Sequence, residues 1–315
     1  MRYKKGIEFS FNWLFAIIVG GIIILLAVYG AVKIVGTERT RTETVLGKEL
    51  GIVTTPLETS AEEARASAPI KLTDETRIYN GCYLTGAFGE QGIKTAVKSG
   101  LGASAWGTPS IESRFANKYI FSETVLQGKE FFVFSESFNV PFKAGDILYL
   151  WTNKYCFVNP TNEIRSDIED LNLKNINISE RVENCDKGSR KVCFTASSAS
   201  GCDIVVNYAE KSVTRGKDKV YYEDIYDNSL IYGAIFANAS LYECQLKRLL
   251  KRAAALANLN IEKNKILLCS NTIESELARF ANLSISLRSS AEIGAIFNEA
   301  KIIEGINNEL NCKLF

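Results

Sequence analysis

The hydrophobic pattern begins with one long apolar run, continues through alternating segments and ends in helical stripes. Residues 9–32 carry no charged side chain, and about 20 apolar residues suffice for a helix to span a bilayer. The run is longer than a signal-peptide core, and no Ala-x-Ala cleavage site follows it. We therefore predict a transmembrane helix over residues 9–35, retained as an anchor, with membrane lipid as its partner.

Small residues recur at four-residue spacing within this run, first at Ala16 and Gly20 and again at Ala27 and Ala31. Such pairs let membrane helices approach closely, so self-association through this helix is one hypothesis. The same spacing is common in any span rich in alanine and glycine.

On either side of the helix we predict a short cytoplasmic tail, 1–8, and a stalk rich in Thr, Glu and Ala, 36–68.

Residues 69–222 are predicted to form a strand-rich region. Ile78, Cys82 and Leu84 share one face of a period-two segment, and Lys211–Arg215 is expected to pair with Lys219–Tyr222 across Gly216. Ile164, Ile168 and Leu171 follow helical spacing and indicate a short amphipathic helix. Further strands are expected at 118–122, 129–136, 146–151, 155–158, 175–179, 191–195 and 203–208.

Residues 223–315 are predicted to be helical, which makes the fold class α+β with a mixed or antiparallel sheet and a C-terminal helical hairpin or bundle. Ser289 and Glu292 have the spacing of a capping box for a final helix. An earlier, longer stripe of leucines and alanines has basic residues opposite it, at Lys247, Arg248, Lys251 and Arg252. That basic face is either solvated or a contact for anionic lipid or a cell-surface polymer.

All eight cysteines lie beyond the apolar run. An even number on one side of a membrane segment predicts disulfides in an oxidising compartment, although reduced core thiols are an alternative. The candidates allow 105 pairings. If the long and final helices pack antiparallel, Cys244 lies near Cys312, and this is the first bridge that we predict. The candidates are Cys82, Cys156, Cys185, Cys193, Cys202, Cys244, Cys269 and Cys312.

Basic residues flank the apolar run almost equally on both sides and do not decide its orientation. The cysteines place the C-terminal body outside the cell. Three candidate glycosylation sequons, at Asn177, Asn238 and Asn282, agree with that orientation. The expected location is the cell membrane, in a single-pass topology with the N-terminus in the cytoplasm and the body outside.

The composition removes several kinds of chemistry. The chain has no histidine, so His-dependent nucleophile systems and His-ligated zinc are excluded. Its net charge of +1 gives no case for nucleic acid. No Walker A or EF-hand pattern is present, and Gly100-Leu101-Gly102 with Ala105 is better explained as a turn than as a dinucleotide motif. We expect no cofactor, no metal and no catalytic residue.

The densest acidic cluster, Glu223, Asp224 and Asp227, has two interpretations. Three oxygen donors so close could hold calcium. Acids are also favourable at a helix N-terminus, and this structural interpretation is the favoured one. Carboxylates distant in sequence could in principle also converge in a hydrolase site.

Before the apolar run, the chain has basic residues, Gly6 and then Ile7-Glu8-Phe9-Ser10. This order of residues resembles the amino terminus of type IV prepilins and archaeal pilin-like proteins. That resemblance implies processing after Gly6, although Glu8 stands at the second position after the glycine and the family has its glutamate at the fifth. Further segments resemble uncharacterised membrane-anchored surface proteins of small-genome archaea, namely 9–13, 142–147, 155–160, 242–249 and 312–315.

The leading functional hypothesis is therefore a non-enzymatic, membrane-anchored surface protein with a structural or binding role, whose partner is an extracellular protein or the cell envelope. A pilin-like subunit assembled through its N-terminal helix is one alternative. An extracellular hydrolase that works with carboxylates is the other.

Overall fold

The computed structural model describes residues 15, 17–30, 69–99, 105–172, 175–196 and 200–315. Residues 17–30 are helical. No helix within the described ranges combines the length and the hydropathy needed to cross a bilayer. The predicted tail, the stalk, the processing position at Gly6, both flanks of the predicted membrane helix and the glycines of the Gly100 motif lie outside these ranges.

The body is α+β, as predicted, with two mixed sheets followed by a helical region. Its helices, numbered from the start of the body, are α1 (Asn162–Asp170), α2 (Ser229–Phe236), α3 (Ala239–Leu267), α4 (Asn271–Ser286) and α5 (Ile293–Glu309). The strands are β1 (Ile70–Tyr83), β2 (Glu90–Ser99), β3 (Ala105–Trp106), β4 (Ser113–Phe115), β5 (Tyr119–Phe121), β6 (Val125–Asn139), β7 (Lys143–Trp151), β8 (Tyr155–Val158), β9 (Ile176–Ser179), β10 (Arg190–Thr195), β11 (Ile204–Asn207), β12 (Ser212–Arg215) and β13 (Asp218–Tyr221).

The first sheet has seven strands in the order β3-β2-β1-β6-β7-β5, with β4 paired to β2. Its pairs are antiparallel except for β5 with β7. The second sheet has six strands in the order β13-β12-β11-β10-β8-β9. There β8, β9, β10 and β11 run parallel, and α1 makes the crossover from β8 to β9. The predicted hairpin of β12 and β13 is present, with Gly216 at φ +60 in its turn.

Helix α2 lies at the centre of the core, and all eight of its residues are buried. Its sequence, SLIYGAIF, is apolar on every side, as expected for a helix without a solvent face. Trp151 from β7 stacks on the ring of Phe236 of α2, and Phe134 from β6 meets the same ring edge to face. Gly233 is required there, because a Cβ at this position would lie 2.8 Å from the Phe121 ring.

All eight cysteines are paired, which confirms that they form disulfides. The bridges are Cys82–Cys244, Cys156–Cys185, Cys193–Cys202 and Cys269–Cys312. The predicted Cys244–Cys312 bridge is wrong. Helix α4 packs between α3 and α5 and reverses the chain twice, so α5 ends beside the end of α3. Cys312 therefore meets Cys269, while Cys244, near the start of α3, meets strand β1.

The capping box predicted at the final helix is also wrong for Ser289, whose side chain makes no capping hydrogen bond. Glu292 instead accepts a hydrogen bond from the backbone N–H of Arg288 at 2.9 Å. The adjacent Ser290 is bound more firmly, since its N–H and hydroxyl both donate to Glu243 of α3.

Candidate functional site: a cleft lined by two arginines

A cleft of about 300 Å³ opens where one end of the second sheet meets the turn between β5 and β6. Its lining is Glu123, Arg190, Asp203, Ile204 and Arg215. Glu123 lies in the turn. The other four come from the ends of three adjacent strands, because Arg190 begins β10, Ile204 begins β11 and Arg215 ends β12. Arg190 and Arg215 lie 67 and 92 residues beyond Glu123 in the chain, and both contact its carboxylate.

The sheet register explains why both arginines face inward. Arg190 pairs with Tyr155 of β8, and Arg215 pairs with Ile204 of β11. Directly paired residues lie on the same face of a sheet. Tyr155 and Ile204 are both buried in the main core. The two guanidiniums therefore lie on the inner face of the sheet, at the open end of the core.

Both arginines donate from Nη1 to the same oxygen, Glu123 Oε1. Arg215 also donates from Nη2 to the Ile235 carbonyl oxygen in the last turn of α2, where a cation is favourable to the helix dipole. The side chain of Arg190 is 35% exposed and that of Arg215 is 23% exposed. The cluster closes the core and still faces solvent.

The cleft contains more hydrogen-bond donors than acceptors. Among the described residues, the buried Nε of Arg215 has no hydrogen-bond partner. The buried Tyr155 hydroxyl lies beside Arg190. Burial raises the pKa of Tyr155, while Arg190 and Arg215 act in the opposite direction. The phenol therefore stays neutral near pH 7 and keeps its proton to donate. On the acceptor side, Asp203 Oδ2 accepts from the backbone N–H of Lys191 at 2.8 Å.

The predicted acidic cluster is divided between two structural tasks. Lys211 Nζ lies 2.6 Å from Glu223 Oε2 and 2.8 Å from Asp224 Oδ1. Asp227 accepts from the N–H of Ser229 at 3.0 Å, at the first residue of α2. Burial raises the pKa of Asp227, although its hydrogen bonds oppose that shift. Within the described ranges, no group of three potential ligands could hold a metal ion.

The predicted basic face is wrong at Arg248, which is fully buried between α3 and the first sheet. Its guanidinium donates to Gln245 Oε1 and to the carbonyl oxygens of Phe88, Gly89, Phe115, Ala116 and Lys118. It also lies 4.8 Å from the centre of the Tyr119 ring. Gly89, at φ +65, is required here, since a Cβ would collide with the Tyr83 carbonyl oxygen and lie 2.9 Å from Arg248 Cγ.

A chain of buried amides continues from Arg248. Gln245 donates to Gln91 at 2.5 Å, Gln91 donates to Asn80, and Asn80 donates to Ser122 at 2.6 Å. This polar network lies beside the Cys82–Cys244 bridge, since Cys244 directly precedes Gln245 and β1 carries both Asn80 and Cys82.

The candidate glycosylation sites differ in accessibility. Asn177 and Asn282 are exposed. Asn238 is half-buried and serves as the N-cap of α3, where its Oδ1 accepts from the N–H of Leu241 at 3.0 Å. A glycan on Asn238 would occupy a side chain that the fold already uses.

Sequence reasoning did not single out Glu123, Arg190 or Arg215. The available signal was charge at the ends of strands: Lys191–Thr195 and Lys211–Arg215 were predicted as strands, and an arginine stands at one end of each. That signal indicates a site only when the pairing of β8, β10, β11 and β12 is known. The pairing cannot be read from the sequence. No protein-family model, curated protein or solved structure matched the chain.

Proposed function

We propose that this chain is a membrane-anchored surface protein that displays a disulfide-braced binding body outside the cell. The observation that carries the proposal is the helix at residues 17–30, whose large apolar side chains are exposed. These are Ile17, Ile18, Ile22, Ile23, Ile24, Leu25, Leu26, Val28 and Tyr29. Large contiguous apolar surfaces mark contact with a membrane or a partner.

The body supports the extracytoplasmic part of the proposal. Four disulfides are typical of extracellular or secreted proteins, because reducing systems keep cytosolic thiols reduced. The bridges brace each part of the body. Cys82–Cys244 joins the first sheet to α3, two bridges hold loops against the outer face of the second sheet, and Cys269–Cys312 closes the helical region.

Substitution of two helix residues tests the anchor in the full-length chain. A central arginine costs a membrane helix roughly 2.5–3.5 kcal/mol. We expect Ile23→Arg with Leu26→Arg to move the protein from the carbonate-washed membrane pellet to the soluble fraction. The matched control, Ile23→Leu with Leu26→Ile, should stay in the pellet. A wild-type chain that appears in the soluble fraction contradicts the anchor.

Orientation has its own measurement. Protease added to intact cells should degrade the body, and maleimide should label its cysteines only after denaturation and reduction. Protection of the body from protease, with free thiols, would overturn the extracellular topology while leaving the anchor intact.

A further inference from the structure

We propose that the two-arginine cleft binds a small carboxylate ligand that also carries hydrogen-bond donors, either hydroxyl or ammonium groups. The inference deepens the binding role proposed for the body and does not depend on the membrane anchor. It rests on Arg190, Arg215, Glu123 and Asp203 meeting in one open cleft.

The guanidiniums select a carboxylate. A planar guanidinium carries five N–H donors in a fork that matches carboxylate geometry. Arg190 gives Nη1 to Glu123 and is the more exposed of the two arginines. Arg215 is committed more deeply, to Glu123 and to the Ile235 carbonyl oxygen. Arg190 is therefore the group that a ligand carboxylate would meet, and Arg215 is the residue that holds Glu123 in position.

The excess of donors indicates what the cleft lacks. Both guanidiniums share the single oxygen Glu123 Oε1, and the buried Arg215 Nε has no partner among the described residues. A buried donor without an acceptor destabilises the protein, because it has lost its hydrogen bonds to water. A ligand carboxylate adds two acceptor oxygens at this end of the core.

The acidic residues restrict which anion is accepted. Glu123 and Asp203 line the same cleft and repel a ligand with several negative charges. The same two carboxylates can accept hydrogen bonds from ligand hydroxyls or from an ammonium group. The volume of about 300 Å³ lies at the lower end of small-molecule pockets, which suits one sugar acid or one amino acid.

Calorimetric titration of the full-length protein in detergent micelles tests the proposal with four probes. Sodium glucuronate has a carboxylate and hydroxyls, and serine has a carboxylate and an ammonium group. Acetate has only the carboxylate, and glucose has only the hydroxyls. We expect glucuronate or serine to bind at least about tenfold more tightly than acetate and glucose. Each of the two weaker probes lacks one set of hydrogen bonds to charged groups, and one such hydrogen bond contributes enough free energy for a roughly tenfold difference in affinity. Whichever of the two binds identifies the source of the donors.

Variants locate the binding in the cleft. Arg190→Gln should weaken binding at least about tenfold, whereas Arg181→Gln, at an exposed position outside the cleft, should leave it unchanged. Asp203→Asn retains a side-chain acceptor for the Lys191 N–H, so it tests the acidic group without opening the β10–β11 contact. It should weaken glucuronate or serine binding and leave acetate unaffected.

Three results would overturn the proposal: no binding of either glucuronate or serine, acetate binding as tight as theirs, or binding unchanged in Arg190→Gln. None of these results bears on the location of the protein, because membrane fractionation reports the anchor independently. Conversely, a soluble protein that binds glucuronate through Arg190 would overturn only the anchor.

Discussion

Two parts of the body place arginines against a sheet, and they differ in how the guanidiniums are satisfied. Arg248 is fully buried, and its N–H groups meet five backbone carbonyls and one amide oxygen. Arg190 and Arg215 share one carboxylate oxygen at the mouth of a cleft, and the Nε of Arg215 has no partner among the described residues. The guanidinium of Arg248 is fully hydrogen-bonded within the protein, whereas the cleft has more hydrogen-bond donors than acceptors.

The pKa shifts follow the same contrast. Burial lowers the pKa of Arg248 to about 10, so it remains charged at neutral pH. Burial acts in the same direction on Arg190, but Tyr155 and Glu123 outweigh it and the pKa of Arg190 is raised. Fixed backbone dipoles hold the first charge, whereas ionisable neighbours hold the second. A structural arginine and one available to a ligand thus differ both in burial and in the groups that hold the charge.

The largest expected effect comes from Arg248→Met. The substitution keeps much of the side-chain volume but leaves several buried carbonyls without a donor. We expect it to lower the free energy of unfolding by about 3–5 kcal/mol, measured by urea unfolding of the full-length protein. Arg252→Met, one turn further along α3 and only partly buried, is the matched control and should change stability by less than about 0.5 kcal/mol. Equal losses in the two variants would mean that the carbonyl contacts of Arg248 add nothing.

The sequence indicated the helix that carries Arg248 but not the role of this residue. The spacing of a solvated face is shared by four basic residues, Lys247, Arg248, Lys251 and Arg252. In the folded protein the first sheet covers one of them, Arg248, which is buried. The carbonyls that receive its guanidinium come from segments about 130–160 residues earlier in the chain. Helical periodicity reports neighbours within a turn and contains no information about such partners.

The disulfides show the same limit. Their existence was predictable from an even count of cysteines on one side of the apolar run, because number and position can be read from the sequence. Their connectivity required the order in which helices pack. Helix α4, Asn271–Ser286, lies between α3 and α5. Cys312 is thereby placed at the opposite end of α3 from Cys244. In the cleft, likewise, strand positions were predictable and strand partners were not.

A buried carboxyl extends the comparison to groups with too few donors. Glu299 of α5 is 2% exposed and faces Glu276 and Arg279 of α4. Arg279 Nε lies 3.2 Å from Glu299 Oε2. Within the described residues, Glu299 Oε1 has no hydrogen-bond partner. Burial, together with the neighbouring Glu276 carboxyl, raises the pKa of Glu299 to about 7.

This shift predicts how stability depends on pH. Between about pH 4.5 and 7 the folded protein holds a proton on Glu299 that the unfolded chain has released, so stability falls as pH rises through this window. Across the whole window, this proton contributes about 3 kcal/mol to the free energy of unfolding. We expect Glu299→Gln to remove that slope in urea unfolding measured across the window. Glu309→Gln, at an exposed position of the same helix, should keep it. Identical slopes in wild type and Glu299→Gln would refute the assignment.

The smallest expected effect separates the two arginine sites most sharply. Arg190→Gln leaves Glu123 paired with Arg215, and Arg215 keeps its bond to the Ile235 carbonyl oxygen. We therefore expect a loss of only about 1 kcal/mol in the free energy of unfolding, the scale of a partly exposed ion pair. Arg215→Gln should cost more, because it removes the contact to α2 as well. A loss in Arg190→Gln as large as that in Arg248→Met would mean that Arg190 mainly stabilises the fold. The cleft would then be a structural closure of the core and not a ligand site.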